Sequence, residues 1–287
     1  MNFMRLKTNF IIVILLVLTG VVSAQNWVTI TSDQPVAAHT TLLSSDAAAS
    51  VVEFEIAGFN LIPVTTPRGE AFVVDMEGAT PMLAKGMPDL PKLTASLIIP
   101  DNALMDVRVI SSKYIDYPFI DIAPSKGNFT RDIDPATVPY TYGRAYEQDA
   151  FYPAQMADLR DPYILRDHRG QTIIVNPFRY NPVTRTLRVY HQMTVEVFQS
   201  GLSTLNVLER SSEPETMVDE FQRIYERHFL NANNGSRYTP LEEQGNMLII
   251  SHGAFMAAMQ DFVDWKKTIG IPTEIVDVST IGTNSTA

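Results

Sequence analysis

The chain has 287 residues, 45% of them hydrophobic and 19% charged, with a net charge of -10 and no cysteine. That composition lies outside the disordered regime and suits one or two folded domains. The acidic balance argues against a nucleic-acid partner, which needs a basic face. The lack of thiols excludes disulfides, thiolate catalysis and redox chemistry from this sequence.

At the N-terminus Arg5 and Lys7 precede an apolar run from Phe10 to Leu18, and Gly20 and Val21-Val-Ser-Ala24 follow. A basic start, a short apolar stretch and a small-residue exit predict a signal peptide over 1–24, cleaved between Ala24 and Gln25. The run is short for a membrane span. The expected product is secreted by bacterial export, extracellular or at the cell surface, with no membrane attachment after cleavage. Removing 1–24 takes away Arg5 and Lys7 and no acid, so the remainder is more acidic by two charges. Export normally permits disulfides; without cysteine, stability must come from packing.

Residues 25–50 are rich in Ser, Thr and Ala and predict a loose N-terminal segment. From Val51 the pattern is β. Val52, Phe54 and Ile56 alternate with Glu53, Glu55 and Ala57. Further strands are expected over 70–77, 92–100 and 105–110, the last two separated by the Asp101-Asn102 turn. Two more are expected over 171–175 and 187–197, flanking the loop with Asn181-Pro182. Leu187, Val189, Met193, Val195 and Val197 share one face by parity, with His191 on the same face. Short strands with turns and no helices predict an antiparallel β-sandwich, jelly-roll-like, over 51–200. The segment 116–161 departs from this pattern, being rich in Pro, Gly, Asp, Tyr and Arg. Such a segment is either a functional loop or an excursion packed over the sandwich by its tyrosines.

After Ser200 the character changes. Met217, Phe221, Ile224, Tyr225 and Phe229 fall at helical spacing. The polar run Asn231-Ala-Asn-Asn-Gly-Ser-Arg237 follows, so 201–237 reads as a helix and a cleavable linker. Residues 238–287 then read as the opening of a second domain. Strand (246–251), helix (255–269, with Phe255, Met259, Phe262, Val263 and Lys266 on one face) and strand (273–278) form a single βαβ unit. One such unit cannot bury both faces of its sheet. It is therefore expected to be the truncated start of a larger α/β domain whose chemistry lies beyond Ala287.

Several runs together carry a family resemblance. Gly86-Met-Pro-Asp-Leu-Pro91 resembles the Gly-x-Pro-x-Leu-Pro signature in the propeptide of gingipain-type cysteine proteases, peptidase family C25. Ile122-Ala-Pro-Ser-Lys-Gly127, Asp161-Pro-Tyr-Ile-Leu-Arg-Asp167 and Tyr180-Asn-Pro-Val-Thr-Arg-Thr-Leu-Arg-Val-Tyr190 are similar to the same propeptide in arginine-specific members. Arg237-Tyr-Thr-Pro-Leu-Glu-Glu243 resembles the junction with the catalytic domain, and Asp261-Phe-Val-Asp-Trp-Lys266 its first helix. The resemblance runs in one order from Val51 to Val278. It implies a zymogen: a β-sandwich prodomain that assists folding and blocks the active site, then a caspase-like protease domain as its intramolecular partner. The family's catalytic His and Cys lie further downstream, so no catalytic residue is assigned and the chain is expected to be inactive. Two positions carry over. Arg237 occupies the processing point before Tyr238. Arg131 aligns with the arginine that enters the protease specificity pocket. On the residues alone, Arg131 reads as a solvated side chain pairing with Asp132 or Asp134, and only the resemblance favours the inhibitory role; Arg144, Arg160, Arg166 and Arg169 compete with it.

No HExxH, P-loop or Gly-x-Gly-x-x-Gly pattern occurs. Asp132 and Asp134 are too few for a calcium loop, so neither cofactor nor metal is expected. His191 reads as a core or edge histidine, and His252 as structural or solvated. Two alternatives stay open: a stand-alone secreted protease inhibitor, and a β-sandwich adhesion or carbohydrate-binding module. The second needs an exposed aromatic platform, which the tyrosines at 114, 117, 140, 142, 146 and 152 would have to supply.

Overall fold

The structure is a computed structural model that describes residues 26–209, 216–233, 239–241 and 246–282. The expected cleavage points Ala24-Gln25 and Arg237-Tyr238 lie outside the described residues. The strands are β1 (Asn26–Thr29), β2 (His39–Ser45), β3 (Ala49–Glu55), β4 (Gly58–Thr66), β5 (Gly69–Asp75), β6 (Thr80–Pro81), β7 (Pro91–Ile98), β8 (Ala103–Tyr117), β9 (Ala157–Leu159), β10 (Tyr163–Leu165), β11 (His168–Val175), β12 (Phe178–Asn181), β13 (Thr186–Leu202), β14 (Thr216–Val218), β15 (Thr239–Leu241), β16 (Met247–Ser251) and β17 (Thr273–Asp277). The helices are α1 (Asp219–His228), α2 (Gly253–Thr268) and the single turn α3 (Val278–Ile281).

The fold is mainly β and its main sheets are antiparallel, as the alternation predicts. Three such sheets form the body: β1-β4-β5, then β10-β11-β7-β6 with β9 also on β11, then β12-β13-β3-β2 with β8 on β13. The third sheet arises because β3 and β4, only Ile56 and Ala57 apart, belong to different sheets. Inward residues from all three meet in one cluster that includes Val52, Phe54, Phe59, Leu97, Ile173, Phe178, Leu187, Met193 and Val195. The period of two in each strand delivers them to one side.

The structure corrects the sequence reading at several points. The expected loose segment over 25–50 is, over its described residues 26–50, not loose: β1 pairs with β4 and β2 with β3. The Ala57 carbonyl accepts the amides of Ile30, Thr31 and Ser32, and Trp27 Nε1 donates to the Ser32 carbonyl at 2.8 Å. Their Ser/Thr content hides them because they are edge strands with one wet face. β8 runs on to Tyr117, seven residues past the apolar pattern, because β13 supplies a main-chain partner along its length. His191 sits where the β13 register slips between Tyr190 and Gln192, so it is a part-buried bulge residue rather than a member of the regular ladder.

The helix over 219–228 is part of the body, not of a linker. Tyr225 and Phe229 are each only 2% exposed, and the Tyr225 hydroxyl donates to Asp167 Oδ2 at 2.7 Å. Ile224, grouped with them by spacing, points outward and is 46% exposed, and Met217 falls in β14. The run after the helix is anchored by polar atoms. Asn231 Oδ1 accepts the Ile98 amide and its Nδ2 donates to the Ile98 carbonyl and to Ser45 Oγ, while the Leu230 amide donates to the Ser96 carbonyl. One asparagine side chain thus imitates a strand at the β7 edge.

In the last unit β16 and β17 pair in parallel with α2 between them. His252 caps α2, its Nδ1 accepting the Ala254 amide at 3.2 Å. Val263 is buried, but Phe255 is 64% exposed, so the inner stripe is Met256, Met259 and Val263 rather than the face through Phe255 and Phe262. Leu248 and Ile250 are more than half exposed on the sheet's far side.

Arg169 is fully buried, and its guanidinium donates to the carbonyls of Pro100, Ala103, Leu205 and Asn206 at 2.7 to 3.0 Å. It holds the β7–β8 turn and the segment after β13 together. Arg169→Met leaves these acceptors without that donor and is expected to cost about 3 kcal/mol or more, lowering Tm by about 10 °C in thermal denaturation. Phe229→Ala is expected to free α1 selectively: its amides lose exchange protection while those of β13 keep theirs.

Candidate functional site

The irregular segment leaves β8 at Tyr117 and is fastened at once. Arg185 forms a bidentate pair with Asp121, with bonds of 2.8 and 2.6 Å, tying the segment to the turn between β12 and β13. The Phe72 amide then donates to the Asp121 carbonyl, and the Ala123 amide to the Phe72 carbonyl, both at 2.8 Å.

The next residues form a neck on the Gly86-Met-Pro-Asp-Leu-Pro91 run. The outgoing leg pairs with it through three bonds: Asp89 amide to Ala123 carbonyl (2.9 Å), Ser125 amide to Met87 carbonyl (2.7 Å) and Gly86 amide to Ser125 carbonyl (2.8 Å). The return leg joins the same run where the Gly143 amide donates to the Gly86 carbonyl at 2.8 Å. Both crossing residues must be small. A Cβ on Gly143 would lie 2.8 Å from the Gly86 carbonyl oxygen, and Gly86 has φ +79°, a region side chains avoid.

Beyond the neck the loop stands clear of the body. Gly127 turns it with φ +100°, its amide donating to Ser125 Oγ at 3.3 Å. Lys126 Nζ crosses the loop to the Pro135 carbonyl at 2.9 Å and lies 4.4 Å from the Tyr140 ring centre. Asp134 Oδ1 accepts the Ala136 amide and starts a short 3-10 turn over Pro135–Thr137. At the far end the Ile133 amide donates to the Thr130 carbonyl at 3.1 Å, closing a turn with Arg131 at its first corner. Arg131 is exposed and, among the described residues, makes no ion pair. The pairing with Asp132 or Asp134 left open by the sequence does not form. Asp132 takes the Thr130 hydroxyl and its own amide, which hold its carboxyl below the usual range, and Asp134 takes the Ala136 amide.

The part of the segment after Tyr140 is a packed excursion. The Tyr146 hydroxyl donates to the Ile122 carbonyl at 2.8 Å, and burial pushes its phenol far above the usual value. Tyr142 shares a 2.7 Å bond with Thr66 Oγ1, meets Tyr146 edge-on at 4.6 Å, and lies under Arg68 at 4.0 Å. Tyr152 and Tyr180 exchange main-chain bonds of 2.9 and 2.8 Å. Tyr114 packs edge-on against Tyr190 beneath Arg188, and Tyr117 edge-on against Phe59. Most of the tyrosines that would have to build an aromatic platform are used for packing, while Tyr114 stays 50% exposed. The competing arginines also separate: Arg169 is a core rivet, Arg166 lies 3.8 Å from the Phe221 ring centre and pairs with Asp167 at 3.5 Å, and Arg144 and Arg160 are exposed. Among the described residues no group of three His, Asp or Glu side chains is placed to hold a metal ion.

Sequence reasoning used the Gly-Met-Pro-Asp-Leu-Pro run only as a signature and missed that it builds the neck. The signal was present: a glycine and two prolines in six residues mark a fixed, non-repeating backbone.

The chain compares as follows with known proteins. The family model Propeptide_C25 matches residues 32–216. Gingipain R1 of Porphyromonas gingivalis is 39% identical over 248 residues, covering 86% of this chain and 24% of the relative. Gingipain R2 of the same species is 38% identical over 251 residues, covering 86% and 33%. Lys-gingipain is 24% identical over 251 residues, covering 84% and 14%. The chain therefore spans a third or less of the length of these relatives. Among solved structures, the complex of Porphyromonas gingivalis RgpB pro- and mature domains matches with a TM-score of 0.63 and 36% identity, over 68% of this chain and 97% of that one. A structure of gingipain K from the same species, described in terms of zymogenic latency, shares the fold with a TM-score of 0.52 and 24% identity, over 61% of this chain and 100% of that one. On the match to its family model and the agreement in fold, the chain belongs to the C25 propeptide family.

Proposed function

We propose that this chain is the prodomain of a secreted gingipain-type zymogen followed by the start of its protease domain, and that it holds the protease inactive by occlusion. The loop over 126–139 enters the active-site cleft, and Arg131 occupies the specificity pocket. The carrying observation is the state of Arg131: exposed, at the corner of a turn, on a loop rooted at a two-glycine neck, and, among the described residues, in no ion pair with either neighbouring carboxylate. A guanidinium so presented offers a planar fork to an acidic pocket base and gains two charge-assisted bonds there. Because the neck has already fixed the loop's ends, less ordering entropy is lost on binding. The solved pro- and mature-domain complex of a relative supports the choice of partner.

Release follows from cleavage after Arg237. The cut ends the high effective concentration that a covalent link provides. It does not by itself separate the parts, because β14 and β15 pair in parallel across it, Thr216 to Thr239 through Val218 to Leu241. Export through the 1–24 signal and assistance in folding complete the reading.

The test is inhibition in trans of the mature catalytic domain from the same precursor. Arg131→Ala is expected to raise the inhibition constant about 100-fold or more, and Arg131→Lys to recover part of the loss. An inhibition constant unchanged by Arg131→Ala overturns the occlusion reading.

A further inference from the structure

Among the described residues, those other than glycine with positive φ are Leu83, Phe119, Arg166, Arg185 and Asn206. Asparagine tolerates this region, and the two arginines are held by ion pairs with Asp167 and Asp121. Leu83 (φ +56°) and Phe119 (φ +62°) differ from these. For bulky apolar residues the left-handed region is an outlier that costs free energy. Both are also exposed, Leu83 to 42% and Phe119 to 81%. Burial within the described chain therefore does not offset the cost.

The two conformations turn the chain in the same way. Ile120 packs against the core and its amide donates to the Arg185 carbonyl at 3.1 Å, while Phe119, at the corner after Pro118, stands out. A turn with proline at that corner usually has Gly or Asn next; here it carries a phenyl ring. Met82 packs against the core and its amide donates to the Leu90 carbonyl at 3.2 Å, while Leu83 stands out. Val183, two residues before Arg185, is 53% exposed as well.

Both residues lie close to the root of the Arg131 loop. Leu83 comes three residues before Gly86 and Phe119 six before Ser125, and the Gly86 amide donates to the Ser125 carbonyl. At about 3.5 Å per residue, Leu83 is within about 10 Å of that bond and Phe119 within about 20 Å. A standard interface buries about 800 Å² per partner, a patch about 30 Å across. One interface entered by the loop is therefore wide enough to take both. The charges nearest Phe119 in the chain are already neutralised, Asp121 by Arg185 and Asp116 by Arg188. Lys85, two residues after Leu83, is exposed and lies against the Gly127 turn, so the rim on that side is cationic. Apolar anchors within a polar rim are the make-up of a protein–protein interface.

We propose that Leu83 and Phe119 are the apolar anchors by which the prodomain docks on the mature protease domain of its own precursor, each seated in an apolar pocket of that domain. The choice of partner rests on the occlusion reading, because Arg131 in the specificity pocket brings the loop's root against the same domain. Glycine would relieve both conformations and would remove both contacts. Arg131 then supplies direction through its charge, and the two anchors supply burial, which has none.

The experiment measures the Kd of the full chain for the mature catalytic domain from the same precursor, with the inhibition constant and the Tm of the chain alongside. Phe119→Gly is expected to raise Kd about 30-fold and Leu83→Gly about tenfold. Tm does not fall in either, because glycine adopts the left-handed region without strain. Ile120→Ala, at the inward neighbour, lowers Tm and leaves the Kd of the folded chain unchanged. An unchanged Kd in either glycine variant overturns the proposal for that residue. Self-association of the chain that Phe119→Gly abolishes, with binding to the catalytic domain intact, also overturns it, since the occupant is then a second copy. The same substitutions are made in the Arg131→Ala chain, where the Kd ratios are expected to be the same for sites that do not touch. If Arg131→Ala alone leaves inhibition unchanged, the occlusion reading falls while the Kd ratios still judge the anchors.

Discussion

The strand β13 carries more of this fold than any other element, because both of its edges are paired. β8 runs along one edge from Leu187 to Leu202, while β12 and then β3 share the other. A strand with partners on both sides can slip only if two ladders break together, so its register is fixed. Everything toward Arg131 is placed from it in sequence. β13 sets β8, and β8 delivers the chain to Asp121. The turn before β13 supplies Arg185 to hold Asp121, and the neck begins two residues later. The loop is irregular, yet each of its fixed points traces back to a regular strand.

A protein without cysteine has to fasten its long connections in another way, and here polar side chains do so at the places where a disulfide would serve. Arg169 gathers four carbonyls, Asn231 completes a strand edge, and Arg185 and Arg188 form bidentate pairs with Asp121 and Asp116. These differ in worth. The Arg185 pair is half exposed and screened by solvent, so it sets geometry more than stability. Arg169 is buried, and its loss strands the buried Ala103 carbonyl and removes a shared donor from three others. The energetic weight therefore lies in the core rivet, and the geometric precision of the loop in the exposed pairs.

The regular body was legible because burial imposes a period on the chain. Val52 with Phe54, and Leu187 through Val197, announce their strands by alternation alone. Where one face is wet or both are partly covered, the signal fades: β1 and β2 look like loose polar chain, and the far half of β8 carries Ser111, Ser112 and Lys113 where apolar residues would have marked it. Spacing also misled in α2, since a short helix on a two-stranded sheet buries so narrow a stripe that Phe255 and Met256 cannot be told apart by period. The site was less legible still. Nothing local distinguishes Arg131 from its four competitors; resemblance singled it out, and only the three-dimensional arrangement removes Arg169 and Arg166 from contention. The neck depends on Gly86 meeting Gly143 across 56 intervening positions of the numbering, a contact that no local pattern encodes.

On the proposed occlusion, a strand would be a poor way to present Arg131, and the irregular segment serves that presentation better. Strands spread their constraints evenly, so a residue at the end of one is held no better than its last pair of bonds, and its side chain points to one face or the other by parity. The neck instead concentrates four main-chain bonds at the base and leaves the tip with a few internal ones. Such a loop is stiff where it joins the body and compliant where it would meet a partner. On the proposed occlusion, stiffness at the base would keep the ordering cost of binding small, and few bonds at the tip would let the turn around Arg131 adjust to a pocket. The close crossing of two glycines is what makes both possible, since any side chain at that point would force the legs apart and turn a rooted loop into a loose one.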